Sequence, residues 1–445
     1  MRLRNTKLAM LAAVVDIGLV MALFACSSDS GRETPPEESY MLIYFDGHMH
    51  SARSDGTGDV AQIKATAQNR GLSAVIVTDH CGELTREKWD SLVAETKAAS
   101  DASFLALPGF EVTGSEGLLN RDHILAYDAA NPFVGESAAE MCPEEAWPSE
   151  ANPEGYGTKQ PENLTKWVEF IHSQGGIAVH AHPVGTTRLD YGVDDIELYN
   201  QSQIDDIADY GKLAGYSDEE AADLAIYLGN FAAYGDRDLD RPVQVPGVAD
   251  PMPARLALQK LAGLKLGPPE APLLSWDDLL MAYVQGRLER PVFALANTDA
   301  HNTGDADSKV GLAKNGLYVK QLSEDEVYDA IRAGRSFATT GPSLEFSVDG
   351  ALMGETARVH KTATLSMSVN VSANSESASA VVEKVDIIKN GEILKTVNPN
   401  AASYTEALKD NVTGSGYYRI EVTSYDASSD RRYYAWSNPV FFEAS

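Results

Sequence analysis

Five times between Tyr40 and His301 the chain repeats one design, a short apolar run that ends in a polar tip. MLIYFD leads to His48 and His50, LSAVIVTDH to Asp79 and His80, and FLALPGFE to Glu111. GGIAVHAHP leads to His180 and His182, and PVFALANTDAH to Asp299 and His301. Runs of this length bounded by turn residues read as buried strands. Between the first two, DVAQIKATAQNRG sets Val60, Ile63 and Ala67 at helical spacing, with Asp59 as N-cap and Gly71 as the stop. Strand, helix and strand with short joints predict a parallel sheet. Reactive residues just after successive strands are where a (β/α) barrel carries chemistry. The expected fold class is therefore α/β, a TIM-like barrel.

Two regions depart from that rhythm. From about 201 to 287 the sequence predicts a helical insertion, either capping the barrel mouth or packed peripherally: SDEEAADLAIYLGNF opens with the capping pair Ser217 and Glu220, and SWDDLLMAYVQGR reads as another helix. DRDLD at 236–240 lacks the glycine and the distal glutamate of a calcium loop. After the helix SEDEVYDAIRAGR, alternation takes over: TATLSMSVNV, a hairpin in VDIIKNGEIL turning at Asn390-Gly391, and YYRIEVTSYD. Short alternating strands predict an Ig-like β-sandwich over 346–445, behind a barrel over 40–345.

At 445 residues the chain has room for both. Its net charge is −29 with no Lys/Arg run to offset it, which disfavours nucleic acid or an anionic membrane surface as partner. An anionic small-molecule substrate stays open, because bound cations reverse the local potential. Arg2, Arg4 and Lys7 precede an apolar stretch ending in LFAC, which resembles a lipobox. The expectation is an exported bacterial lipoprotein, facing the periplasm or on the outer membrane. Its signal peptide is 1–26, its lipid anchor sits on Cys26, and its tether is 27–39. An uncleaved transmembrane helix is the competing reading, with Asp16 against it. Cys81 and Cys142 are either a disulfide, which an oxidising compartment permits, or two buried thiols.

A single histidine in a strand tip is ordinarily a satisfied core residue. His48, His50, His80, His123, His182 and His301 recur at such positions with Asp55, Glu111 and Asp299 beside them, and that combination is metal-ligand chemistry. The ordered motifs resemble the PHP family, named for polymerase and histidinol phosphatase: H-x-H with a following S-D-G (HMHSARSDG), Thr78-Asp79-His80, Glu111 ahead of HIL from His123, His182-Pro183, and Asp299-Ala300-His301. The resemblance implies a distorted (βα)7 barrel holding two or three divalent ions (Zn, Mn or Fe) on those nine residues, with Glu111 as the bridge. It also implies Asp79 as an orienting neighbour; Asp299 is further expected to shuttle a proton, with His301 beside it in the catalytic set. The later pieces, GR…T.GP and SNP, are similar to an exported branch that includes carbaryl hydrolase-like enzymes.

Arg53 inside the first motif is the leading candidate to meet an anionic substrate, followed by Lys309 and Arg188, with a solvated surface charge the equal alternative for each. Strand alternation points His180 the same way as His182, toward substrate. His172 and His360 fit no tip and read as surface or packing residues. The expected activity is a metal-dependent hydrolase, a phosphoesterase first and a carbamate, ester or amide hydrolase second. A non-catalytic surface-binding lipoprotein is the reading outside enzymology.

Overall fold

The computed structural model describes residues 39–113, 123–133, 161–183, 192–202, 204–205, 208, 217, 242–243, 252–253, 275–304, 307–360, 362–374 and 377–444. The signal peptide, the tether, Cys142, Arg188, the capping pair Ser217/Glu220 as a helix start, and DRDLD lie outside what those residues can test. Tyr40–Ser445 forms one compact unit.

In chain order the first part runs β1 (Met41–Asp46), α1 (Val60–Asn69), β2 (Ala74–His80), α2 (Arg86–Ala99), β3 (Leu105–Val112), β4 (His123–Tyr127), α3 (Pro161–Ser173), β5 (Ile177–Ala181) and β6 (Asp195–Asn200). It continues with the two-residue strands β7 (Pro242–Val243) and β8 (Met252–Pro253), then α4 (Trp276–Val284), β9 (Phe293–Asn297), β10 (Lys314–Val319), α5 (Glu324–Arg332) and β11 (Ser336–Thr339). Helix α1 starts where its sequence says: Asp59 accepts from the Gln62 amide, and Val60, Ile63 and Ala67 are buried.

Strands follow one path, β11-β10-β1-β2-β3-β4-β5-β6-β9. β1–β2–β3 and β5–β6–β9 are parallel, but β4 runs antiparallel to both β3 and β5. This corrects the all-parallel expectation, and it matters for the site. His123 stands at the start of β4 rather than at a strand's C-terminal end, and only the reversed direction brings it to the rim where the other strands finish.

Just past their ends, β1 and β9 are joined by a single parallel bridge, Met49 with Ala300, rather than along a ladder. Side-chain amides serve β9 where strand partners do not. Asn315 of β10 bonds Ala296 N and O at 2.7 and 2.8 Å, and Asn438 bonds Ala294 N at 2.8 Å and O at 3.3 Å. Unpaired backbone groups inside a core are costly, so these asparagines secure the strand that carries Asp299.

Inside the curved sheet Phe45, Ile76, Leu125, Val179 and Leu295 pack with Val327, Tyr328 and Ile331 of α5. Outside, Val77, Phe110, Ile124 and Ile196 pack with Ile63, Leu92, Ile171 and Leu279 of the flanking helices.

The remaining strands are β12 (Ser343–Val348), β13 (Ala351–Leu352), β14 (Thr356–Val359), β15 (Ala363–Ser372), β16 (Ala380–Lys389), β17 (Glu392–Val397), β18 (Ser403–Val412), β19 (Gly416–Asp426), β20 (Arg431–Ser437) and β21 (Val440–Ala444). One sheet is β13-β12-β15-β18; the other is built on β16, β19, β20 and β21. Phe346, Leu365, Val369, Ile387, Ile420 and Phe442 from the two form one core, as the alternation in β15 requires. The hairpin turns at Asn390 and Gly391 with φ of 52° and 82°, the left-handed pair a tight turn demands.

No linker separates the two parts. β11 pairs with β10 on one side and with β20 on the other, and β12 of the sandwich already begins at Ser343. Fully buried Arg419 grips Asp277 of α4 through Nε and Nη2 at 2.8 and 2.7 Å, and the Tyr417 hydroxyl donates to the same carboxylate at 2.6 Å.

Candidate metal centre

Nine side chains reach one rim in three overlapping groups: His50, Asp55, His80 and His301; His48, His50, Glu111 and Asp299; and Glu111, His123 and His182. In the first, Asp55 lies 3.5 Å from His50 Nδ1, 3.4 Å from His80 Nε2 and 3.2 Å from His301 Nε2. In the second, Glu111 Oε2 lies 3.3 Å from Nε2 of both His48 and His50, and Asp299 Oδ1 is 3.2 and 3.1 Å from the same two atoms. In the third, Glu111 Oε1 is 2.7 Å from His123 Nδ1 and 3.3 Å from His182 Nε2. Glu111 divides its oxygens between two groups, the geometry of a bridging carboxylate. A neutral imidazole has one lone pair to give, so His50 serves one of its two groups at a time.

Two tests bear on whether this cage suits a cation. Ligands about 2.0–2.2 Å from one ion stand roughly 3.3–3.6 Å apart at tetrahedral angles, close to most of the separations above. Also, His48 Nε2 and Glu111 Oε2 are fully buried without a hydrogen-bond partner, and both point into the second group. Orphaned buried polar atoms are rare, and a shared cation satisfies them together. Donor set and spacing fit divalent metal.

Charge balance says the same. Burial alone would lower the His48 and His50 pKa values, yet the carboxylates around them reverse that and push His50 up to about 10 and His48 well above its ordinary value. Glu111, which burial would raise, is held well below the usual carboxylate range by His48, His123 and His80. His123 is driven down to about 4 by burial. Without a cation, the cage keeps protons where positive charge is needed; ligation by neutral imidazoles must displace them.

Backbone strain aims two of the donors. His182 and Asp299 follow strand ends with φ of 31° and 50°, values uncommon outside glycine. The kink at His182 corrects the alternation-based expectation for its neighbour. In β5, Val179 and Ala181 face the inner core, whereas His180 lies opposite Ile124 and Ile196 on the outer face. His180 is therefore outside the cluster, and only the turned backbone returns His182 to it.

Arg53 is also elsewhere. Its guanidinium pairs with Glu95 and reaches Ser91 Oγ at 3.1 Å, both on α2. It does not line the cavity of about 500 Å³ over the cluster, whose walls are His80, Glu111, His123, His182, Ser202, Asp299, His301, Asn302 and Lys309. Asp79 acts through the first-motif loop: it accepts from Ser51 N and Oγ at 2.7 and 2.6 Å and from Ser54 Oγ at 2.7 Å. His172, read as ordinary, joins Asp194 and Arg290 away from the rim. Cys81, beside His80, is buried and disulfide-bonded.

Sequence reading missed Glu197. Its Oε1 lies 3.0 Å from His48 Nδ1 and accepts from Asn297 Nδ2 at 2.8 Å; its Oε2 accepts from His182 N at 2.8 Å and Asn200 Nδ2 at 2.9 Å. Accepting the His48 Nδ1 proton leaves the Nε2 lone pair aimed at the cluster. Glu197 sits within a strand, in DIELYN, where no tip pattern flags it and neighbouring Asp195 is equally acidic, so the sequence offers no signal that singles it out. The late motifs turn out to be scaffold: a Cβ on Gly334 would come 2.4 Å from the Phe293 ring, and Asn438 of SNP serves β9.

No family model matches the chain, and no curated protein matches it. Solved structures do. A two-domain protein from Bacteroides vulgatus ATCC 8482, containing a predicted PHP-like metal-dependent phosphoesterase, is similar at 11% identity and a TM-score of 0.38, covering 94% of this chain and 100% of its own. A protein from Bifidobacterium adolescentis ATCC 15703, proposed to be a metal-dependent phosphoesterase, is 16% identical over 35% of this chain and 77% of its own, with a TM-score of 0.23. An amidohydrolase from Chromobacterium violaceum with bound sulfate is 21% identical over 38% and 82%, with a TM-score of 0.24. TM-scores this low transfer no function, so the chemistry rests on the donors themselves.

Proposed function

We propose that the chain is a metal-dependent hydrolase of the PHP type, a phosphoesterase first, built on a distorted (βα)7 barrel with a supporting β-sandwich. The observation that carries this reading is the convergence of nine donors, with two buried orphan atoms aimed at one point. His48, His50, Asp55, His80, Glu111, His123, His182, Asp299 and His301 would hold two or three divalent ions, Zn, Mn or Fe. When bound, such ions supply Lewis acidity and bring the pKa of water close to neutrality.

The chain's own residues do the rest. Asp299 lines the cavity and has a carboxylate oxygen within reach of His48 and His50, so it can receive a proton from an attacking water. His301 is 40% exposed at the same wall, and its Nδ1 lies 3.0 Å from the Asp299 carbonyl, a contact that turns Nε2 toward Asp55. Glu197 holds His48, and Asp79 holds the loop carrying His50. The resemblance to carbaryl hydrolase-like proteins rests on scaffold residues, so it does not direct the substrate away from phosphate.

Elemental analysis of purified protein is expected to find at least two metal equivalents per chain. The double change His48→Ala/His50→Ala should abolish turnover on aryl phosphates and lower metal content while the sandwich stays folded. Metal-free wild-type protein, or activity surviving the double change, would end the reading. A metal-loaded protein inert on phosphoester, carboxylester and carbamate would favour a binding role instead.

Among the described residues no helix is long and apolar enough to cross a membrane. The membrane association proposed is a lipid on Cys26 of an exported lipoprotein, and Cys26→Ser should release the protein from the membrane fraction.

A further inference from the structure

The cavity over the cluster is unusual in what it lacks. Among the described residues its lining is His80, Glu111, His123, His182, Ser202, Asp299, His301, Asn302 and Lys309, with no aliphatic or aromatic hydrocarbon side chain. Small-molecule sites are ordinarily mostly apolar with a few placed polar groups, because hydrocarbon burial supplies affinity. Among the described residues this wall carries polar-headed side chains, better matched to a ligand with polar groups of its own than to a bare aryl or alkyl group.

Lys309 is the one Lys or Arg among these lining residues, and it is held in place. Its Nζ lies 2.8 Å from Asp205 Oδ2, Gln201 Nε2 donates to Asp205 Oδ1 at 2.8 Å, and the Tyr199 hydroxyl donates to Gln201 Oε1 at 3.1 Å. Tyr199 is buried, its ring 6.0 Å from that of Trp436 in β20. Below it, Lys309 N donates to Asn302 Oδ1 at 3.3 Å. An ammonium has three N–H donors, and Asp205 takes one. Among the described residues the other two have no protein acceptor. Ser202 spends its one donor on the Asp299 carbonyl and Asn302 one of its two on the Asp307 carbonyl, at 2.7 Å each, so among the described lining residues Lys309 is the Lys or Arg donor that can meet a ligand's charge.

We propose that Lys309, positioned by Asp205, is the specificity residue of this site, and that the substrate carries a second oxyanion, a carboxylate or another phosphate, on a compact hydrophilic leaving group. The proposal rests on the hydrolase reading above and narrows it: the cluster takes the scissile phosphate and Lys309 takes the far charge.

Non-hydrolysable phosphonates separate the two claims by calorimetry on metal-loaded protein. Ethylphosphonate probes the cluster alone; 3-phosphonopropionate and propane-1,3-diphosphonate add a carboxylate or a phosphonate; phenylphosphonate adds hydrocarbon. Wild-type protein should bind at least one of the two dianion-bearing probes ten-fold or more tighter than ethylphosphonate, and which one wins identifies the second group. Phenylphosphonate should gain nothing. Lys309→Met, or Lys309→Gln if the first folds poorly, should collapse that ratio toward one at unchanged metal content, while Lys309→Arg should keep part of it. Equal binding of ethylphosphonate and both dianionic probes, a preference for phenylphosphonate, or an unchanged ratio in both neutral variants would overturn the proposal with the hydrolase reading intact. Failure of every phosphonate to bind metal-loaded protein would overturn both.

Discussion

Replacing Glu197 by glutamine exposes how the cluster is held. The wild-type carboxylate faces four donors, two on each oxygen: His48 Nδ1 and Asn297 Nδ2 on Oε1, His182 N and Asn200 Nδ2 on Oε2. A glutamine amide has one oxygen, so in either orientation its NH2 meets two donors. If the NH2 faces His48, the imidazole relieves the clash by moving its proton to Nε2, which removes the lone pair aimed at Glu111 and Asp299. If it faces His182, the kinked backbone that returns that imidazole to the rim loses its support.

Hydrogen bonds to a charged group contribute about 1.5–3 kcal/mol each, so losing two costs roughly 3–6 kcal/mol, shared between the fold and the metal site. Outer partners of metal-bound histidine commonly account for about 10–100-fold in metal affinity. Glu197→Gln should therefore weaken zinc binding, measured by competition with a chromophoric chelator, by a factor in that range. Asn200→Ala removes one donor and keeps the carboxylate, and it should weaken binding much less. Wild-type zinc affinity in a folded Glu197→Gln protein would refute the tautomer-setting role, as would equal losses in both variants.

Three further outcomes follow from the contacts described above. Arg419→Met alone leaves Asp277 buried without its ion pair and should cost about 3–5 kcal/mol in urea unfolding. Arg419→Met with Asp277→Leu should recover much of that, and additive losses would contradict a coupled pair. His180→Leu should leave metal content and turnover near wild type, because the side chain faces the outer helices; loss of metal would place it back in the site.

The fourth prediction concerns pH and chelator-treated protein. His50 is pushed up to about 10 from 6.5, so folding favours its protonated form. That contribution is fully present below pH 6.5 and lost as pH rises through about 10. Metal-free protein should lose thermal stability across that window, and a flat profile would be inconsistent with protons standing in for the cation.

The nine donors could be read in the sequence because ligand chemistry requires particular residue types, and strand-then-tip spacing says where a chain turns. Helix α1, the alternation of β15 and the Asn390-Gly391 turn were legible for the same reason: each is fixed by contacts within a few residues. What failed depended on direction. Alternation gave His180 and His182 one face, but a single positive φ at His182 reverses it. Arg53 lies in the first motif, yet α2 supplies Glu95 and takes it away from the cavity. His123 reaches the rim because β4 runs backwards, and nothing local in HILAY encodes strand direction.

Residue identity and short-range periodicity thus determined the chemical inventory and most of the elements. Tertiary structure alone decided which charges meet. It put Glu197 behind His48 across 149 residues, Lys309 beside Asp205, and Asn315 and Asn438 against the backbone groups of β9 that β6 does not pair. Such contacts are long-range and specific to one backbone arrangement, because a hydrogen bond or ion pair forms only over a few ångströms. Sequence separation carries no trace of them until the chain has folded.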